Sequence, residues 1–211
     1  MTQWYSTYFS QTWYANTFLV RRPDQIGRAI AHDREWNHIC DSGCNFTCLA
    51  MILDVDPARL ASELRSEKYF YADASLPARH LDGTVGGLVW DRNAPNRDKK
   101  EFSLKNFWHP ALKRRVSMTL RYIGMTATSD YDEGCAQVAA IHKRGNHVVC
   151  GTDEHSHLVA GKSRKGYYLW DPDGSETTVE QNLTGALTLL KLFEDNSNQK
   201  IEFWEYKAVV V

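Results

Sequence analysis

The residues best suited to covalent chemistry lie in the stretch that ends at Leu53. Cys44 follows the turn signal Ser42-Gly43 and precedes a run of apolar residues. A cysteine in the first turn of a helix meets unpaired backbone N–H groups and the positive end of the helix dipole, which lower the pKa of its thiol. The sequence therefore predicts that Cys44 is a nucleophilic thiolate held at the start of a helix.

Such a thiolate needs an imidazole to share and deliver its proton, and a third group to orient that imidazole. His157 begins the apolar strand segment 157–160, and Asp171 follows the strand segment 167–170. A hairpin of these two strands would bring the carboxylate of Asp171 beside the histidine. We predict Cys44 as the nucleophile, His157 as the general base and acid, and Asp171 as the orienting carboxylate.

Each role has an alternative or an added candidate. His155 is the alternative base, because alternation along a strand would put it on the same face as His157. Cys135 follows a glycine at the start of another predicted helix and is the rival nucleophile. The tetrahedral intermediate also needs hydrogen-bond donors for its oxyanion. The backbone N–H of Cys44 is one such donor, and the side-chain amide of Asn37, upstream of it, is the second candidate.

A metal-binding or interaction module without catalysis is a hypothesis of a different class. Potential zinc ligands cluster in the second half of the chain: His147, Cys150, Asp153, His155 and His157. Their spacing does not match the usual zinc motifs. Cys40, Cys44 and Cys48 recur every four residues, but Gly43 interrupts the helix between the first two. The catalytic hypothesis predicts neither a metal nor a cofactor.

Composition narrows the class of protein. The 211 residues carry a formal net charge of -1, and the chain is long enough for a single domain, 1–211, to bury a core without disulfides or metal. The balanced charge lacks the clustered Lys and Arg of a nucleic-acid-binding face. No apolar run reaches the roughly 20 residues of a membrane helix, and the N-terminus lacks the features of a signal peptide. We expect no nucleic-acid or membrane partner, synthesis in the cytoplasm and, if the protein is exported, a route without a cleavable leader.

Local patterns predict the elements that would position these residues. An aromatic N-terminal arm (about 1–20) and an irregular insertion (about 66–110) flank the first helices. The predicted helices are Cys44 to Leu53, one that begins at Pro57, one through Cys135 and His142 that stops at Gly145, and Leu183 to Phe193. The predicted strands are 116–122, 147–151, 157–161, 167–171 and 201–211. Helices first and an antiparallel sheet second indicate an α+β fold.

Two segments resemble a known family. Cys44-Asn45-Phe46-Thr47-Cys48-Leu49-Ala50-Met51-Ile52-Leu53 resembles the nucleophile helix of papain-like cysteine peptidases of the bacteriocin-leader peptidase-like branch. The strand 157–160 and the segment 166–172 resemble the histidine and aspartate segment of that branch and of papain-like bacterial effector proteases. The chain differs in having Asn45-Phe46 where the family has Gly-Pro, and Asn37 or His38 near the position of the family's upstream glutamine.

The resemblance implies a papain-like fold, with an N-terminal nucleophile helix packed on an antiparallel sheet that carries His157 and Asp171. It implies hydrolysis of a peptide or amide bond through a thioester on Cys44. Free-standing relatives include bacterial peptidases, cell-wall peptide hydrolases and toxins delivered as effectors. The expected partners are then a peptide or protein substrate and an inhibitor, immunity or delivery protein. A transglutaminase or deamidase with the same triad is the alternative enzyme, and a papain-like domain that only binds is a further one.

Overall fold

An antiparallel sheet lies at the centre of this computed structural model, which describes residues 2–15, 17, 39–66, 70–72, 88–90, 100–152, 155–173 and 179–211. The helices are a 3-10 turn Gln11–Tyr14, α1 Ile39–Ser42, α2 Cys44–Leu53, α3 Pro57–Ser66, α4 Tyr131–Lys143, α5 Val179–Thr184 and α6 Leu189–Asp195. The strands are β1 Thr2–Gln3, β2 Phe70–Ala72, β3 Leu88–Trp90, β4 Glu101–His109, β5 Arg114–Thr128, β6 His147–Gly151, β7 Ser156–Ser163, β8 Gly166–Trp170 and β9 Ile201–Val210. The predicted α+β class with an antiparallel sheet is confirmed.

The main sheet has seven strands, and every pair in it is antiparallel. Its order is β1-β7-β6-β9-β5-β4, and β8 also pairs with β7. The β7–β8 hairpin aligns Leu158 with Trp170. The last strand along the chain, β9, lies between β5 and β6 in the middle of the sheet. A separate hairpin joins β2 to β3.

Alternation along the strands divides the core into two hydrophobic clusters, one on each face of the sheet. Val149 and Trp170 belong to the cluster that contains the buried residues of α2 and α3. Val148 and Leu169, their neighbours in sequence, belong to the cluster that contains residues of α4 and α6. Because successive side chains of a strand point to opposite faces, α2 and α4 cover opposite sides of the sheet.

Helix α2 is anchored by burial rather than by an amphipathic pattern. Every side chain from Asn45 to Leu53 is buried. The helix ends at Asp54, which has a left-handed backbone with φ of 52° and donates its N–H to the carbonyls of Ala50 and Met51. Burying an apolar side chain contributes about 1.5–3 kcal/mol, so this helix is a rigid base for the residue at its start.

The final predicted helix, Leu183 to Phe193, is wrong as a single element, because the structure has two helices there, α5 and α6. Gly185, with φ of 72°, follows the end of α5. Thr188 then caps α6 by accepting a hydrogen bond from the backbone N–H of Lys191. The other predicted helices and strands outside the insertion are present, with ends that differ by a few residues.

Part of the stretch predicted to be irregular, 66–110, forms strands. The nine residues of β4 pair with β5, and a bulge shifts their register between Leu104 and Phe107. Asn106 within the bulge has φ of 49°. The bulge moves the buried positions from even to odd numbers, which hides the period of two that a strand shows in sequence. Residues 67–69, 73–87 and 91–99 lie outside the described part.

The N-terminal arm is part of the sheet. Thr2 and Gln3 pair with Lys162 and Gly161 of β7, and the N–H of Trp4 donates to the carbonyl of Ala160. The arm therefore lies against the strand that leads out of the candidate site. Across the described residues, no helix is long and apolar enough to span a membrane.

Candidate active site

Cys44 is the first residue of α2, and its side chain is half-buried. The residue before it, Gly43, has no room for a side chain, since a Cβ there would lie 2.3 Å from the carbonyl oxygen of Ile39. Glycine thus allows α1 to run directly into α2 and places the thiol at the helix start. One turn further along, Cys48 is fully buried, and burial raises the pKa of its thiol well above the ordinary value.

His155 links the thiol to a carboxylate. It directly precedes β7, and its Nε2 lies 2.6 Å from Oδ1 of Asp171. The imidazole is also hydrogen-bonded to Cys44. Because Asp171 engages Nε2, Nδ1 is the nitrogen that remains for the thiol. Cys44, His155 and Asp171 therefore form a continuous hydrogen-bonded series.

The charges of this series stabilise one another. Burial acts to raise the pKa of the Cys44 thiol, but the hydrogen bond and charge of His155, with hydrogen bonds from Ser156, outweigh it and lower that pKa. Burial acts to lower the pKa of His155, whereas its bonds to Asp171 and Cys44 raise it to about 10. Burial also opposes ionisation of Asp171, yet the bond from His155 lowers its pKa. All three shifts favour a thiolate–imidazolium pair beside a carboxylate.

Asp171 is held by its neighbours on three sides. Its N–H donates to Oδ1 of Asn182 at 2.7 Å, and Nδ2 of Asn182 donates to the Asp171 carbonyl at 3.3 Å. The hydroxyl of Tyr8 also donates to that carbonyl, at 2.7 Å. Oδ1 of Asp171 accepts the N–H of Asp173 at 2.8 Å. Helix α5 and the N-terminal arm therefore fix the backbone of Asp171, and the N–H of Asp173 helps to fix the carboxylate that orients His155.

His157, predicted as the base, lies next to the series rather than within it. Its ring meets the ring of His155 edge-on, with centroids 4.6 Å apart and an interplanar angle of 85°. Burial and the nearby charge of His155 lower the pKa of His157, so its imidazole is neutral. The geometry favours the alternative base, His155, for proton exchange with Cys44. The reason is that β7 begins at Ser156, so His155 belongs to the preceding loop and is free of strand alternation.

Cys135, the rival nucleophile, is not at a helix start. Helix α4 begins at Tyr131 and is capped by Asp130, whose side chain accepts the N–H of Glu133. Cys135 therefore lies in the second turn, where it is hydrogen-bonded to the hydroxyl of Tyr131. Because α4 and α2 cover opposite faces of the sheet, the structure does not bring Cys135 to His155.

The predicted five-residue zinc set does not converge in the described part of the chain. His147 lies at the start of β6, with Nδ1 3.0 Å from the hydroxyl of Tyr5. Cys150 is buried in the cluster beneath α4. Asp153, like the oxyanion candidate Asn37, lies outside the described residues. A different set, His155, His157 and Asp171, does converge, with one ligand atom of each within 4.8 Å of the others.

Gln11 was missed by sequence reasoning, although it joins the two halves of the site. Its N–H donates to the carbonyl of Pro172 at 2.7 Å, and its Nε2 donates to the carbonyl of Cys40 at 3.1 Å. The residue is only 6% exposed, and its Oε1 is buried without a hydrogen-bond partner among the residues that the structure describes. The only sign of this role in the sequence is a glutamine within the aromatic arm. Because it lies far from Cys44 along the chain, no local pattern links the two residues.

The arrangement can supply a nucleophile, a proton carrier and a group that orients the carrier. These are the parts required for covalent catalysis by a thiol. No family model matches this chain, and no curated protein or solved structure is significantly similar to it. A functional assignment therefore rests on the geometry around Cys44, His155 and Asp171.

Proposed function

We propose that this chain is a papain-like cysteine peptidase or amidase that hydrolyses a peptide or amide bond through an acyl-enzyme on Cys44. The observation that supports it best is the hydrogen-bonded series of Cys44, His155 and Asp171 at the start of a buried helix. Each residue then has one role. Cys44 is the nucleophile, His155 is the general acid and base, and Asp171 orients the imidazole.

Catalysis would proceed in two balanced steps. The thiolate of Cys44 attacks the substrate carbonyl carbon, and the His155 imidazolium gives its proton to the leaving amine as the C–N bond breaks. The product of this step is a thioester on Cys44 with neutral His155. A water molecule then attacks the thioester while His155 takes a proton from it. Release of the carboxylic acid restores the thiolate–imidazolium pair, so the net reaction is hydrolysis.

The oxyanion of each tetrahedral intermediate needs donors that are already in place. The backbone N–H of Cys44 is one, because the first N–H groups of a helix have no partner within the helix. In this proposal Gln11 supplies the second. Its Nε2 carries two hydrogens, and the carbonyl of Cys40 uses one of them. We therefore propose Gln11 as the second oxyanion donor, in place of Asn37, the candidate predicted from the sequence.

The test has two stages. Iodoacetamide at neutral pH, followed by peptide mapping, should label Cys44 well before the other four cysteines. p-Nitrophenyl acetate should then give a burst of p-nitrophenolate and a hydroxylamine-sensitive acetyl group on the same residue, which is the kinetic signature of an acyl-enzyme. Cys44→Ala should abolish both signals, and Cys135→Ala is the matched control that should keep them. Slow, unselective labelling and no burst would rule the proposal out.

The fate of the acyl group separates hydrolysis from transfer. In a hydrolase, the acetyl thioester decays to acetate at a rate that a primary amine such as glycine ethyl ester leaves unchanged. In a transglutaminase, the amine would accelerate the decay and appear as its acetamide. With a glutamine peptide as substrate, a deamidase would release ammonia without cleaving the chain. We expect acetate and unchanged decay.

A further inference from the structure

His157 is the residue in the site that the proposed reaction leaves without a task. It is 7% exposed, and its Nδ1 is buried without a hydrogen-bond partner in the described part of the chain. A buried polar atom without a partner costs about 1–3 kcal/mol. A small aliphatic side chain would fill the interior at that point of β7 without this penalty. The histidine is therefore to be explained by something that it binds.

The surroundings of His157 contain the ligand types that zinc prefers. One potential ligand atom from each of His155, His157 and Asp171 lies within 4.8 Å of the other two. The rings of His155 and His157 meet edge-on, so their nitrogen atoms point in different directions. In a tetrahedral zinc site the bonds to nitrogen and carboxylate oxygen are about 2.0–2.2 Å long. Ligand atoms around one ion are then a little over 3 Å apart, so the existing group needs only small side-chain rotations to close around a metal.

We propose that His155, His157 and Asp171 bind one divalent transition-metal ion such as Zn²⁺, and that this ion switches the site off. Two imidazoles and a carboxylate are three protein ligands of the kind that hold zinc. The thiol of Cys44, hydrogen-bonded to the other nitrogen of His155, lies outside this ligand set. Binding occupies Nε2 of His155 and the Asp171 carboxylate, so the imidazole can no longer take up a second proton and the proposed proton transfers stop.

The inhibitory part of this inference rests on the proposed function, whereas the metal site does not. Metal binding and catalysis would compete for the same side chains, so the ion is a reversible inhibitor rather than a cofactor. His157 is the ligand that a simple catalytic triad does not have. The other two ligands, His155 and Asp171, also take part in the proposed reaction.

The first experiment measures the metal directly. ZnCl₂ is titrated into the full-length protein by calorimetry, with a phosphine in place of dithiol reductants, which bind zinc. We expect one saturable ion per chain. His157→Gln should weaken binding at least about tenfold, the equivalent of 1.4 kcal/mol. The matched control is His147→Gln, which removes a histidine bound to Tyr5 at the start of β6 and should leave zinc affinity unchanged. No saturable binding, or equal affinity in His157→Gln, would overturn the metal site.

The second experiment measures inhibition as a ratio within each variant, so the rate without metal cancels. The rate of p-nitrophenyl acetate turnover is measured with and without zinc, and then after adding EDTA. We expect strong, reversible inhibition in the unaltered protein and in His147→Gln, and little inhibition in His157→Gln. Equal inhibition in all three would refute the role of His157.

The Cys44→Ala variant keeps the two proposals separate. It cannot form an acyl-enzyme, yet it retains the two histidines and the carboxylate, and it should still bind zinc with unchanged affinity. Cobalt(II) should show no thiolate-to-metal charge transfer in the near ultraviolet, because its ligands are imidazoles and a carboxylate. Zinc binding by a protein whose Cys44 is unreactive would retain the metal site while refuting the peptidase. A reactive Cys44 with no zinc binding would do the reverse.

Discussion

His155 and Asp171 face each other at the open end of the β7–β8 hairpin, with Nε2 of the imidazole 2.6 Å from Oδ1 of the carboxylate. The hairpin pairs Leu158 with Trp170, so Asp171 lies level with His157 in the register. It nevertheless bonds to the histidine in the preceding loop. This arrangement leaves His155 between the carboxylate and the thiol of Cys44, with one ring nitrogen for each.

The role of His155 can be measured through the reactivity of the thiol. Replacing it by Gln removes the hydrogen bond and charge that lower the pKa of Cys44, while burial continues to raise that pKa. We expect His155→Gln to slow alkylation of Cys44 at neutral pH by at least about tenfold, since one pKa unit is a tenfold change in thiolate fraction. His142→Gln is the control, because His142 stacks on Trp4 at a surface position. An unchanged rate in His155→Gln would show that the imidazole does not activate the thiol.

The pH dependence has two limits. Alkylation of Cys44 needs only the thiolate, so its rate should fall as pH drops through a pKa below the ordinary thiol value of 9.0. Hydrolysis of an amide also needs the proton on His155 for the leaving amine, so it should decline as pH rises through about 10. The raised pKa of His155 stabilises the folded chain fully below the ordinary value of 6.5, and this contribution is lost above about 10. Rate profiles for alkylation and amide hydrolysis that coincide at high pH would contradict this assignment.

Two glycines in strands provide a matched test of the loop that carries His155. A Cβ at Gly151 would lie 2.0 Å from the carbonyl oxygen of His155, whereas a Cβ at Gly124 would meet nothing within 4 Å. We expect Gly151→Ala to destabilise the fold by about 1–3 kcal/mol, as overpacking does, and to displace His155. Gly124→Ala should change stability by less than about 0.5 kcal/mol. Urea unfolding and the Cys44 alkylation rate are the measurements, and equal behaviour of the two variants would contradict the prediction.

Gln11 should affect turnover without affecting the nucleophile. Loss of one oxyanion donor slows catalysis by about 10²–10³, so Gln11→Ala should reduce p-nitrophenyl acetate turnover by that order. Alkylation by iodoacetamide forms no oxyanion and should change only a few-fold. Gln3→Ala is the control, since Gln3 is exposed on β1 and its side chain donates to the nearby carbonyl of Tyr5. A parallel loss of turnover and alkylation would indicate that Gln11 supports the fold instead.

Asn182 should contribute to stability through Asp171. Its buried amide accepts the N–H of Asp171 and donates to the Asp171 carbonyl. Asn182→Ala removes this partner from the Asp171 N–H, whereas the Asp171 carbonyl keeps the hydrogen bond from Tyr8, so we expect a loss of about 1–3 kcal/mol in the free energy of unfolding. Asn198→Ala at an exposed position is the control for urea unfolding. A small effect at Asn182 would mean that other contacts hold Asp171.

Local patterns predicted the elements of the site better than its contacts. The apolar run after Cys44 and the short apolar and aromatic runs of β6 to β9 identify a buried helix and a sheet, because both follow from short-range composition. The choice between His155 and His157 depends on where β7 begins, and element boundaries are the least reliable part of such predictions. The position of Gln11 beside the site depends on tertiary contacts between distant parts of the chain. No local pattern encodes its bonds to Cys40 and Pro172.

The central place of β9 has a consequence for synthesis. A ribosome makes β5 and β6 long before β9, yet these two strands can join the same sheet only through it. The strands next to His155 and Asp171, β6 to β8, pair with one another and are complete by residue 170. The half of the described sheet that holds these residues therefore joins the half formed by β4 and β5 only after elongation has passed residue 201.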